Sequence, residues 1–229
     1  MKYLVVNADD FGASRGINRG ILEAHRHGIL TSASLLVVGT ARMQAAEFAR
    51  DAPELSVGLH VDLGKKLNES IAQSPRLLRE ALGEQFSQFE KLMGAPPTHL
   101  DSHHNVHRDP RVLPHFVEVA KEYGLPLREH SPVRYFSKFY GQWSGETHLE
   151  QISVENLARM LETEIEEGVT ELSCHPGYDD PDYPTGYASE RETELRTLCD
   201  PRIRQKLVEQ SIRLVSFRDL ANRVAGGPA

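Results

Sequence analysis

Four short stretches of this chain carry residues able to bind metal ions and move protons. They read Asn7-Ala8-Asp9-Asp10, Gly58-Leu59-His60-Val61-Asp62, His99-Leu100-Asp101-Ser102-His103-His104-Asn105-Val106-His107 and Ser173-Cys174-His175-Pro176-Gly177. Singly, several have a bland explanation. Asp9-Asp10 after an apolar run is also turn and helix-cap chemistry. His60 and His175 could each be a hydrogen-bonded histidine closing a strand. The stretch from Asp101 to His107 is harder to set aside, because histidines at that density after a strand rarely serve packing. Four such stretches at comparable points of the chain argue for chemistry.

That chemistry is metal-assisted hydrolysis. Successive side chains of a strand point in different directions. One carboxylate of the Asp9-Asp10 pair can therefore hold a cation while the other stays free to take a proton from water. Two imidazoles added to one carboxylate make a three-ligand set with positions open for water and substrate. His103 and His107 are four apart and would share one face of a helical turn, so either or both are candidates. His103 and His104 diverge, so only one of those two can reach the metal. Asp101 is placed to accept a hydrogen bond from a ligand imidazole.

An alternation of strand and helix must position these stretches. Strands are predicted at Tyr3–Val6, Ser32–Val38, Leu55–His60, Thr98–Leu100, Leu125–Arg128, Val169–Cys174 and Ile212–Val215, the first for its short β-branched apolar run. Helices are predicted at Ser14–Gly28, Ala41–Arg50, Leu77–Met93, Val112–Tyr123, Val154–Glu167, Glu190–Leu198 and Ile203–Ser211. Gly28 stands where a C-terminal glycine belongs, and Ser216 with Asp219 signals a last helix start. Gly64–Ser74 and Gly177–Gly186 are expected loops. About seven strand–helix units without a linker indicate a single domain over 1–229 with a parallel α/β fold, whose active-site residues gather at strand C-termini.

Bulk properties exclude other classes. The 229 residues can bury a sizeable core without disulfides, and Cys174 and Cys199 make no disulfide framework. A net charge of -7 argues against a nucleic-acid partner, and the scattered Arg26, Arg50, Lys65 and Lys66 form no basic stripe. The opening MKYLVVNADDFG is too short in its apolar run for a signal segment, and nothing reaches membrane-span length. The expected setting is cytoplasmic.

Taken together, NADDFG at Asn7–Gly12, TSASLLVVG at Thr31–Gly39, GLH at Gly58–His60, THLDSHHNVH at Thr98–His107 and SCHPG at Ser173–Gly177 resemble the YdjC-like carbohydrate deacetylases. That family includes diacetylchitobiose deacetylase and a hopanoid-biosynthesis branch. The resemblance implies a deformed TIM-like (β/α) barrel of the glycoside hydrolase/deacetylase type. It implies removal of an N-acetyl group from an amino sugar, chitooligosaccharide-like or related. Carried over by position, Asp10, His60 and His103 match the metal ligands, Asp9 the base and His175 the acid. Asn105 stands where some relatives have a further histidine. The family's metal is magnesium, whereas two imidazoles and a carboxylate suit zinc or another transition metal. A homodimer is compatible with the family.

Three further readings concern substrate. Arg128 either orients it or braces an aspartate. Tyr178, with Asp179, Asp180, Tyr183 and Tyr187, forms a polar-aromatic loop suited to a sugar face or a dimer contact. Trp143, the only tryptophan, could stack on a sugar, although core packing is the commoner use of a lone Trp. Three rival functions remain. A metal-free glycosidase would use the paired carboxylates. A metal-dependent phosphoesterase or lactonase would use the same scaffold. A non-enzymatic sugar-binding relative would not need Asp9, Asp10, His60, His103 and His175 all intact.

Overall fold

The structure is a computed structural model that describes residues 1–64 and 74–220. The expected loop from Gly64 to Ser74 thus falls almost wholly outside the described residues, as do Lys65 and Lys66. In chain order the elements are β1 (Lys2–Phe11), α1 (Arg15–His27), β2 (Ser32–Leu35), α2 (Arg42–Asp51), β3 (Ser56–Val61), α3 (Pro75–Met93), β4 (Leu100–Ser102), a 3-10 turn (His103–Arg108) and α4 (Leu113–Tyr123). Then come β5 (Arg134–Phe136), a two-stranded hairpin of β6 (Gln142–Trp143) and β7 (Glu146–Thr147), α5 (Val154–Thr163), β8 (Gly168–Cys174), α6 (Ala188–Cys199), α7 (Pro201–Glu209) and β9 (Ile212–Leu214).

The main sheet runs β4-β3-β2-β1-β8-β5, with β9 beside β1, and every pairing in it is parallel. Leu4, Val5, Val6 and Ala8 of β1 are fully buried. Such a continuous apolar run fits a strand covered on both faces, as parallel sheets with flanking helices require. The sheet curls into a partial barrel. At one edge Leu127 bridges Leu100 of β4, and the chain then reaches β5 at the opposite edge through a short connection.

Helix boundaries follow local signals. Ser14 caps α1 by accepting from Ile17 N, Ser74 and Ser153 do the same for α3 and α5, and Gly94 and Gly124 close α3 and α4 in the left-handed conformation. Ser216 accepts from Asp219 N while Asp219 Oδ2 accepts from Ser216 N, the reciprocal cap expected from their spacing.

Several boundaries differ from expectation. Leu125–Arg128 is not a strand. Only Leu127 bridges, and Glu129 turns the chain away with φ of +63°. The strand there is β5, in a stretch with no predicted element. β1 extends to Phe11, so Asp9 and Asp10 lie within it. Strand β2 stops at Leu35, and β4 begins two residues later than predicted. Helix α5 ends at Thr163 rather than Glu167, yet Ile165 still packs inward at 2% exposure.

Register delivers the four stretches to one rim. Ala8 pairs with Cys174, which brings Asp9-Asp10 beside His175. His60 pairs with Asp101, which brings His103 within reach. Gly58 of the GLH stretch is required by packing: a Cβ there would lie 2.4 Å from the His99 ring.

Candidate active site

Asp9 and Asp10 line one cleft although adjacent strand residues normally point apart. The cause is local. The β1–β2 pairing is irregular between Ala8 and Phe11, and Asp10 adopts φ of +68°. A left-handed aspartate is strained by about 1–2 kcal/mol, which the surrounding ion pairs hold in place.

The two carboxylates have different partners. Arg128 grips Asp9 with both terminal nitrogens, at 2.8 Å to Oδ2 and 2.7 Å to Oδ1. Asp10 Oδ2 accepts from Arg191 Nη2 at 2.5 Å. Asp10 Oδ1 is buried and has no hydrogen-bond partner. It lies 3.1 Å from His103 Nδ1 and 3.6 Å from His60 Nε2. These three donor atoms all fall within 4.8 Å of one another. Burial works to raise the Asp10 carboxyl, but the Arg191 charge and the His103 contact outweigh it and hold the group well below the usual carboxylate range.

Asp101 anchors His60. Its Oδ1 accepts from His60 Nδ1 at 2.7 Å, leaving Nε2 facing Asp10. Its Oδ2 accepts from Ser34 Oγ at 2.6 Å and lies 2.8 Å from Arg128 Nη2. Burial depresses the His60 imidazole, but Asp101 and Asp9 more than reverse this and push it up to about 9. Asp9, His60 and Asp101 also lie close enough to form a second three-ligand group. Arg128 and Ser34 already occupy the oxygens of that group, so it fits a cation less well than the first.

His175, at the end of β8, has its Nε2 3.9 Å from Asp9 Oδ2. Its backbone N–H donates to Glu194, and its Nδ1 lies 4.0 Å from the Glu194 Oε1. Burial pushes His175 down to about 4 and Glu194 up to about 8.

The expected site residues therefore divide. Asp9, Asp10, His60, His103 and His175 converge on one cleft of about 740 Å³. His107 does not join His103. His104 and Asn105 take positive φ, which breaks the helical phase, and His107 turns inward to Ser102 Oγ at 2.6 Å. Arg128 is not at the surface and does not line the cleft. It is 3% exposed, braces Asp9 from beneath and also binds Glu171 Oε1 at 2.6 Å. Tyr178 is not brought to the cleft either: its hydroxyl donates to Glu23, and it lines a separate recess. Tyr183 and Tyr187 of the same loop do face the cleft. Trp143 is not a core residue. It is 46% exposed and stacks flat on His148 at 3.6 Å.

Arg191, Glu194 and Glu171 belong to this site and carry no obvious sequence motif. Each of the three has a usable signal. Arg191, Glu194, Leu195 and Leu198 share one helical stripe of α6, so the inward face of that helix continues from leucines into charges. Glu171 is a lone acid in the buried strand β8.

A partial parallel α/β barrel here gathers two imidazoles and an aspartate at its strand ends, a donor set able to hold a metal ion. The comparisons narrow this. The model of the YdjC-like protein family matches residues 3–209. A carbohydrate deacetylase of Geobacillus stearothermophilus is 36% identical, with 95% of this chain and 98% of the relative covered. A chitooligosaccharide deacetylase of Serratia marcescens is 34% identical, covering 96% and 99%. A solved structure from Enterococcus faecalis superposes with a TM-score of 0.81 at 27% identity, covering 96% and 98%. The chain belongs to the YdjC-like protein family.

Proposed function

We propose that this protein is a metal-dependent hydrolase that removes the N-acetyl group from an acetylated amino sugar, chitooligosaccharide-like or related. The observation that carries the reading is Asp10 Oδ1, a buried carboxylate oxygen without a hydrogen-bond partner, facing two imidazole nitrogens. Buried polar atoms are nearly always satisfied, so an orphan anion between two nitrogen donors fits a cation. The relatives' names, carbohydrate deacetylase and chitooligosaccharide deacetylase, supply the substrate class.

Asp10, His60 and His103 would hold the cation. Their donor set, two nitrogens and one oxygen, suits zinc or another transition ion better than the magnesium implied by family resemblance. Bound there, a divalent cation supplies Lewis acidity toward a water and an acyl oxygen.

The chain's own residues handle the protons. Asp9 lines the cleft and retains lone-pair positions beyond the two Arg128 contacts, so it can accept a proton from the attacking water. Arg128 fixes the direction of that carboxylate. An amine leaves only when protonated, and His175 stands next to Asp9 to deliver the proton. Burial keeps His175 neutral at pH 7 in the resting protein, so it becomes an acid only after receiving a proton. Asp9, 3.9 Å away, is placed to pass on the one taken from water.

A metal-free glycosidase fits poorly. It needs one carboxylic acid with a raised pKa, and Asp10 is held far below that range by Arg191. The test is acetate release from a panel of N-acetylated sugars, with phosphorylated sugars in parallel, using protein stripped by chelator and reloaded with zinc, cobalt or magnesium. Acetate release restored by one of these metals is expected. Undiminished activity in chelator, or phosphate release alone, refutes the assignment.

A further inference from the structure

The geometry points to Tyr140 as the floor of a subsite for a pyranose ring, resting on the sugar-deacetylase reading above. Tyr140 lines the cleft and is 38% exposed, high for an aromatic ring inside a cavity. One of its faces is covered: it lies parallel to Tyr187, with centroids 4.8 Å apart and planes 10° apart. Tyr187 is itself immobilised. It is 6% exposed, donates its hydroxyl to Glu194 at 2.7 Å and accepts from Gly141 N at 2.7 Å. The backbone after Tyr140 is pinned as well, since a Cβ on Gly141 would meet Ile152 at 2.8 Å and Gly141 O accepts from His148 N. A backed, ordered ring that stays partly exposed to the cleft offers apolar contact at small entropic loss.

What such a face takes is set by its surroundings. The Tyr140 ring stands 5.6 Å from the His175 ring, edge to face. A planar aromatic ligand would leave the polar rim unused: Gln142, Tyr183 and Thr185 also line this cleft. A pyranose presents axial C–H groups to a ring below and hydroxyls around its edge. That combination matches a flat apolar floor within a polar wall. The ring so held would lie beside His175 and Asp9, where the amide must be cleaved.

Three variants test this: Y140F, Y140A and Y140L, the last keeping apolar bulk without a ring. Binding of glucosamine oligosaccharides of two and three units is measured by calorimetry, alongside KM and kcat on their N-acetylated forms. Y140F, which keeps the ring, should lose no more than about twofold in binding and KM. Y140A and Y140L should each weaken binding and raise KM about fivefold to tenfold, with kcat little changed, the size expected of one aromatic contact. Equal loss in Y140F and Y140A would assign the effect to the hydroxyl and overturn the subsite. So would a fall in kcat at constant KM, or wild-type binding to Y140L. Oligosaccharide binding needs no turnover. A wild type that binds these sugars through Tyr140 but releases no acetate would sink the deacetylase reading and leave the subsite standing, and a wild type that binds none of them would overturn the subsite.

Discussion

Cation binding to this protein should expel a proton from His60, and the structure gives the size of the effect. In the metal-free protein burial lowers the His60 pKa, but Asp101 and Asp9 outweigh it and raise the group to about 9. A cation needs the neutral imidazole, so it must displace that proton. At pH 7 the two-unit gap makes apparent affinity about 100-fold weaker than the limit at high pH, or ~2.7 kcal/mol. Asp10 contributes no proton, because Arg191 and His103 already hold it ionised. Apparent affinity should therefore rise about tenfold per pH unit from 6 to 8 and level off above about 9. The assay is titration of cobalt into chelator-stripped protein in buffers of different protonation heat, which should count about one proton released at pH 7. Affinity flat from pH 6 to 8 with no proton released would refute the reasoning. The same raised pKa makes a stability claim for the stripped protein. The folded value lies above the ordinary 6.5, so this stabilisation is fully present below pH 6.5 and is lost as pH rises through about 9. The gap corresponds to about 3 kcal/mol, readable by urea unfolding at pH 6 and pH 9.

The adjacent aspartates should separate cleanly: Asp9→Asn keeps the cation but lowers turnover about 100- to 10,000-fold, whereas Asp10→Asn loses the cation, as metal analysis after gel filtration would show. If Asp9→Asn elutes without metal, the two roles are exchanged. Arg128→Met leaves Asp9, Asp101 and Glu171 without their shared buried cation and should cost about 3–5 kcal/mol in urea unfolding. That loss should shrink on acidification, because the stranded carboxylates are relieved by protonation, and a loss that grows toward low pH would contradict the network. Gly20→Ala places a Cβ 2.5 Å from Gly177 Cα, two residues past His175. It should lower stability by about 1–3 kcal/mol and reduce turnover, yet leave cation affinity within about threefold; equal damage to affinity would mean His175 and the cation site are not separable.

Much of the candidate site was legible because residues able to bind metal are conspicuous by type and parallel strands deliver their C-termini to one rim. Asp9-Asp10, His60, His103 and His175 needed only that rule and the family motifs. What failed was local phase. His103 and His107 keep helical spacing in the sequence, but two positive-φ residues between them turn His107 into the core, which spacing cannot reveal. Leu125–Arg128 has strand composition, yet the chain turns at Glu129 before a ladder forms. Tyr178 sits in a loop whose other tyrosines do reach the cleft, and its own direction is set by a tertiary bond to Glu23.

The deeper omission was charge hidden on the inward side of regular elements. Glu190, Arg191 and Glu194 make α6 look like a solvated helix, yet all three are buried. This matters for why the neighbouring aspartates differ. Both carry one negative charge, and both meet an arginine. Arg128 arrives with two nitrogens and engages both oxygens of Asp9. Arg191 arrives with one and engages only Oδ2 of Asp10, leaving Oδ1 aimed at His60 and His103. A carboxylate clamped at both oxygens is a poor partner for a cation but a well-aimed proton acceptor. One clamped at a single oxygen has a coordinating atom to spare. On the proposed reading the two roles follow from how the arginines approach, Arg128 from the loop after α4 and Arg191 from α6, and residue type alone could not assign them.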